Sequence, residues 1–125
     1  MDITRHNVIK FFTGENNTQL ATVENEKLGG NPGVVWAILA SPQQVEPALS
    51  DMRKAWQDQN ACSGWIVFSD PKADASDELL DQLADEGVSV MPSSRKDPYV
   101  QVIESAKEHA ERQALIMPIF RSAEP

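Results

Sequence analysis

At 125 residues the chain fits one domain and leaves no room for a comfortable second. A globule of this size buries roughly two-thirds of the surface its unfolded chain exposes, and a hydrophobic content of 41% supplies a core without metals or disulfides. A net charge of −8 argues against direct nucleic-acid binding and against adsorption to an anionic membrane, while leaving room for a basic partner or a cation.

The single cysteine, Cys62, excludes an intrachain disulfide and suits a reducing compartment. Residues 1–7 are polar and contain no signal-peptide core. The longest apolar run, 34–40, is far shorter than the ~20 residues that cross a bilayer. These features predict a cytoplasmic protein without membrane association.

In chain order, residues 7–13 (NVIKFFT) are rich in β-formers, 14–17 (GENN) have turn chemistry, and 18–24 (TQLATVE) alternate again. This spacing predicts an antiparallel hairpin over 7–24. Residues 28–33 (LGGNPG) then form a loop. Its glycines precede a strand, whereas phosphate-cradling glycine loops follow one, so the cluster reads as a turn.

From residue 34 the style changes to β/α units over 34–120. Residues 34–40 (VVWAILA) do not alternate, which predicts a central strand covered on both faces. Ser41-Pro42 then opens a helix, with Ser41 as cap and Val45, Ala48, Leu49, Met52, Ala55 and Trp56 along one stripe. The scheme repeats with a buried strand at 65–68 (WIVF) and a helix capped by Asp74 or Ser76 that carries Leu79, Leu80 and Leu83. Gly87 stands where a helix stop belongs. A short strand at 88–91 precedes a third helix opened by Asp97-Pro98, with Tyr99, Val102, Ile103, Ala106 and Ala110 on its apolar stripe. Residues 114–120 (ALIMPIF) read as a last strand, placed at an edge because Pro118 cannot donate to a ladder. The whole is one α/β domain over 1–125 in the order β-β-β-α-β-α-β-α-β. Its sheet is expected to be mainly parallel and flanked by three helices, with the N-terminal hairpin at one edge.

Ligands of open parallel sheets bind beyond the carboxyl ends of the strands, beside helix N-termini that favour anions. The chain places Ser41, Ser69, Asp70, Lys72, Ser93, Ser94, Arg95 and Lys96 at such ends, a set suited to a small phosphate or carboxylate. The plainer reading of the same residues is capping serines and solubilising cations. Asp70 is the most suggestive single acid. In receiver domains and several phosphotransfer folds an acid at this place binds magnesium or acts as nucleophile, and the resemblance is confined to that placement. Ala40-Ser41 stands where an acidic pair would close the first strand of the unit, and Met91-Pro92 offers no matching lysine. Asp70 therefore reads first as a turn residue.

Cys62 has neither histidine, His6 or His109, brought near it by any motif, and no spacing of Cys, His and carboxylates matches a metal site. No cofactor is expected. Asp74, Asp77, Glu78, Asp81, Asp85 and Glu86 crowd the second helix. They offer a contact for a basic or nucleic-acid-binding protein, set against the reading of a solvated face. Asp85 and Glu86 oppose the helix dipole, so something besides helix stability favours them. Trp36, Trp56 and Trp65 fall in or beside core elements without interleaved basic residues, and read as core. The apolar run 115–120 suggests a homodimer. The leading expectation is a non-enzymatic binding module with an anion pocket at the sheet's carboxyl edge. Alternatives are a small phosphoryl- or ester-handling enzyme using Asp70 and an acidic inhibitor acting through residues 74–86.

Overall fold

The hairpin chemistry of the first segment survives intact in the computed structural model, which describes residues 7–25, 34–57, 63–70, 72–92 and 97–122. Strands β1 (Asn7–Thr13) and β2 (Gln19–Asn25) pair antiparallel, in register from Asn7 opposite Asn25 to Thr13 opposite Gln19. The loop takes in Thr18, one residue more than the sequence suggests. Its turn is closed by the Gly14 N–H donating to the Thr18 carbonyl at 2.8 Å and the Asn17 N–H donating to the Gly14 carbonyl at 3.0 Å. Asn17 adopts φ 62°, a left-handed conformation that asparagine tolerates better than most residues.

β3 (Val34–Leu39) pairs antiparallel with β2 and parallel with β4 (Ser63–Phe68), and β4 pairs parallel with β5 (Val88–Val90). The strand order is β1-β2-β3-β4-β5. The sheet is therefore mixed rather than mainly parallel. A strand that returns through a short connection runs antiparallel to its predecessor, and only the helix-bearing crossovers after β3 give parallel neighbours.

Helix α1 (Val45–Trp56) and helix α2 (Asp77–Asp85) cover one face of the sheet, and helix α3 (Pro98–Ser122) covers the other. The two crossovers step along the sheet in one direction, which puts both connecting helices on the same side. β3 shows the consequence. Val35, Ala37 and Leu39 pack toward α1 and α2, while Val34, Trp36 and Ile38 pack toward α3. The unalternating apolar run is thus explained by two covered faces. Each large side chain fully buried in this way contributes roughly 1.5–3 kcal/mol.

The apolar run at 114–120 forms no strand; the backbone there continues α3. A short continuous apolar run carries no period to separate strand from helix. An established helix extends at one hydrogen bond per residue, without a new nucleus. Pro118 sits within this helix, at the loss of one intrahelical bond.

The helix ends follow their chemistry with one exception. Ser76 Oγ accepts the Leu79 N–H at 3.2 Å to cap α2, and Gly87 at φ 81° ends the turn that follows α2. Asp97 Oδ1 accepts the Tyr99 N–H at 2.8 Å to start α3. Ser41, in contrast, precedes a short 3₁₀ turn (Pro42–Gln44), and its hydroxyl caps nothing. The Gln44 side chain reaches back instead, accepting the Ala40 N–H at 2.7 Å.

Candidate functional site

The β3–β4 register sets Leu39 opposite Phe68, and the Ser69 N–H donates to the Leu39 carbonyl at 2.8 Å. Ser41 and the Ser69-Asp70 pair thus follow neighbouring strand ends. Asp70 is exposed, and its Oδ1 accepts the Lys72 N–H at 2.9 Å while its carbonyl accepts the Ala73 N–H at 3.0 Å. That is an Asx turn, the local bond by which Asp stabilises a reversal of the chain. Lys72 is exposed beside it. The other strand-end candidates, Ser93, Ser94, Arg95 and Lys96, lie outside the described residues, as do Cys62, His6 and the glycine loop at 29–33. A cavity of about 200 Å³ near the ends of β4 and β5 is lined mainly by apolar groups such as Phe68, Ala75, Leu80 and Val90, with Asp74 at its margin.

A larger groove, about 430 Å³, opens on the α3 side. One wall is Trp65 with Met91 and Pro92; the other is the α3 stripe Gln101, Glu104, Ser105, Glu108, His109 and Arg112. These helical positions recur three or four residues apart, so they share one side of α3. The adjoining stripe, Val102, Ala106 and Ala110, is buried against the sheet. Trp65 stands on the same sheet face as Val67, yet it is 36% exposed where Val67 is 1% exposed. The sequence reading of Trp65 as core fails here, because its strand neighbour β5 is only three residues long and α3 leaves the ring open.

The floor of the groove is tied down by hydrogen bonds. Gln101 Nε2 donates to the Pro92 carbonyl at 3.0 Å, holding α3 to the end of β5. Trp36 Nε1, deep in the core, donates to Ser105 Oγ at 3.0 Å. The His109 ring meets Trp36 edge-on, with centroids 6.0 Å apart. Its Nε2 is buried and has no hydrogen-bond partner among the described residues. Burial first, and the neighbouring Arg112 charge second, push the His109 pKa below its ordinary value, which favours the uncharged imidazole. Arg112 forms an ion pair with Glu108 one turn away. The groove is thus lined by Glu104, by the paired Glu108 and Arg112, and by the half-buried His109 imidazole.

The acidic residues of the α2 region divide into two groups. Asp74, Asp77, Glu78, Asp81 and Asp85 are exposed. Glu86 instead receives Arg53 of α1 through two bonds, Nε to Oε2 at 3.2 Å and Nη2 to Oε1 at 2.6 Å. This pair holds the Glu86 carboxyl below its usual range and joins the C-terminal end of α2 to α1. It accounts for an acid placed against the helix dipole. Among the described residues no group of three or more His, Cys, Asp and Glu is placed to hold a metal ion, and no helix is long and apolar enough to cross a membrane.

The described residues form a mixed α/β fold with a five-stranded sheet and three α-helices. Compared with protein-family models, curated proteins and solved structures, the chain matches none of them. The groove residues escaped the sequence reading, although a signal for them exists. Positions 101, 104, 105, 108 and 112 form a polar stripe beside the apolar 102/106/110 stripe, although an ordinary solvated helix side reads the same way in sequence.

Proposed function

We propose that the chain is a non-enzymatic binding module whose ligand seats in the groove between Trp65 and α3. The observation that carries this reading is Trp65 itself. It is a large aromatic ring left 36% exposed on the sheet face where Trp36 and Val67 are buried, opposite a wall of polar side chains. Sites that recognise small molecules or side chains combine apolar surface with a few convergent polar groups in this way. The Asx turn at Asp70 supports binding over chemistry, because the leading catalytic candidate is committed to its own backbone. An anion at the strand ends would sit beside the exposed Asp70 carboxylate, so Ser41, Ser69 and Lys72 support that site less than the groove residues support theirs.

A thermal-shift panel of amines, carboxylates, phosphates and neutral heterocycles tests the proposal. A ligand at about 100 times its Kd stabilises the fold by roughly 2.7 kcal/mol. The expected result is saturable stabilisation by one class, abolished in Trp65→Leu. Stabilisation that survives Trp65→Leu, or a flat panel, overturns the groove assignment.

A further inference from the structure

We infer that acid opens the α3 wall: protonation of His109 releases its ring from Trp36 and lets the helix around it lift from the sheet, hinged near Ser105. The inference goes beyond the binding reading and holds whether or not the groove takes a ligand. Its first observation is the buried Nε2, which has no hydrogen-bond partner while the ring lies against Trp36, itself 0% exposed. A neutral imidazole tolerates that place with one nitrogen unbonded. In the cation both nitrogens are donors and the ring is charged, so the same place withholds an acceptor from Nε2–H and water from the charge. His109 is also the one histidine among the described residues, and histidine is the side chain that ordinarily titrates between about pH 5 and 8.

Among the described residues no group is placed to receive the charge. On α3, Arg112 repels it, Glu108 is paired with Arg112, and Glu104 has an interaction of its own. Lys107 and Glu111 are exposed, on the opposite side of the helix. From the sheet, the residues sharing the Trp36 face are uncharged in every strand, from Ile9 and Phe11 of β1 to Ser89 of β5. In the opened helix the ring regains its ordinary pKa of 6.5, so falling pH favours that state.

Packing sets where the helix gives way. Its first turns are anchored: the Tyr99 ring lies 5.3 Å from that of Phe11, Gln101 bonds the Pro92 carbonyl, Val102 is fully buried and Ser105 takes the Trp36 N–H. From 106 to 112 the side chains that are not exposed are Ala106, His109 and Ala110. The imidazole is the bulkiest of these, and expelling it leaves two methyl groups, which bury little area. The same movement carries Glu108 and Arg112, members of the groove wall, away from Trp65.

A neutral paramagnetic cosolute tests this on the whole chain, without ligand, with ¹³C-methyl labels on alanine and valine. The Ala110 methyl, on a residue 2% exposed, should gain about threefold or more in paramagnetic relaxation between about pH 7.5 and 5. Val102, before the hinge, and Ala48, under α1 on the other face, should change less than about twofold. His109→Gln and His109→Phe carry no proton to gain in this range and should abolish the rise at Ala110; either suffices if the other fails to fold. No rise at Ala110 overturns the switch, as it does if the indole attracts the imidazolium and keeps it in place. A rise that persists in the variants assigns the opening to another group. An equal rise at Val102 and Ala48 shows global unfolding, and it too overturns the hinge. Binding in the groove is tested separately by Trp65→Leu, so neither result decides the other.

Discussion

Asp51 of α1 holds Asn16 of the hairpin loop by backbone and side chain together. Its two oxygens accept the Asn16 N–H at 3.1 and 3.3 Å, and Oδ1 also accepts the Asn16 side-chain amide at 3.0 Å. The carboxylate is 3% exposed, so the antiparallel half of the sheet is latched to the first helix of the β/α half by a buried charge-assisted contact. Lys54 and Glu15 add an exposed ion pair between the same two elements.

Removing this latch should destabilise the fold measurably. Asp51→Ala leaves the Asn16 N–H without its acceptor, which costs about 1–3 kcal/mol, whereas Asp51→Asn keeps an acceptor and should lose less. Gly14→Ala acts on the same contact, because a Cβ there would stand 2.4 Å from Asp51 Oδ2 and 2.8 Å from Asp51 Cβ. Urea midpoints check the order: wild type above Asp51→Asn, and Asp51→Asn above Asp51→Ala. Equal midpoints for all three would show that the latch contributes nothing.

The Glu86–Arg53 pair predicts a small acid-dependent component of stability. The folded pKa of Glu86 is lowered, first by its hydrogen bond from Arg53. Its contribution is therefore present above the unfolded pKa and lost as pH falls through the folded one. Glu86→Gln should flatten that part of the acid limb, and the wild-type advantage should shrink with added salt because the pair is largely exposed. Parallel wild-type and variant curves of Tm against pH below 5 would contradict this.

His109 predicts a loss in the same direction at higher pH. Its folded pKa is lowered from the model-peptide value of 6.5 by burial and then by Arg112. Well above 6.5 the unfolded ring has lost its proton too and this stability is full. As pH falls from there toward the folded pKa, the unfolded chain takes the proton first and stability is lost. His109→Gln should remove the part of the Tm drop between pH 7.5 and 5.5 that this linkage causes. An unchanged drop would show that the ring titrates alike folded and unfolded.

Asp70 predicts a structural rather than chemical phenotype. Asp70→Asn preserves the Asx turn and should keep near wild-type stability. Asp70→Ala loses the bond to the Lys72 N–H and should cost about 0.5–1.5 kcal/mol. Neither should alter binding in the groove. Loss of ligand affinity in Asp70→Asn, with the fold intact, would return the site to the strand ends.

Much of this architecture is legible in the residues. The unalternating run at 34–39, the Ser76 cap, the Gly87 stop and the Asp97-Pro98 start are local chemistry that tertiary structure merely accepts. What escapes is set by pairing at a distance. The antiparallel β2–β3 junction depends on how a connection returns, and the end of α3 depends on a run whose composition suits strand and helix alike. Trp65 escapes for a related reason. Its apolar character predicts burial, and only the shortness of β5 and the placement of α3 account for its 36% exposure. Asp51 gives no signal at all, being one acid on an amphipathic helix until the hairpin loop folds onto it.

The most direct test of the central claim is an amide and indole chemical-shift map of the ¹⁵N-labelled protein titrated with the compound that stabilises it most in the thermal-shift panel. The groove predicts that the Trp65 indole, Met91 and the 101–112 side of α3 shift together and saturate with one Kd. Saturating shifts confined to Ser41, Ser69, Asp70 and Lys72, with Trp65 and α3 unmoved, would contradict it.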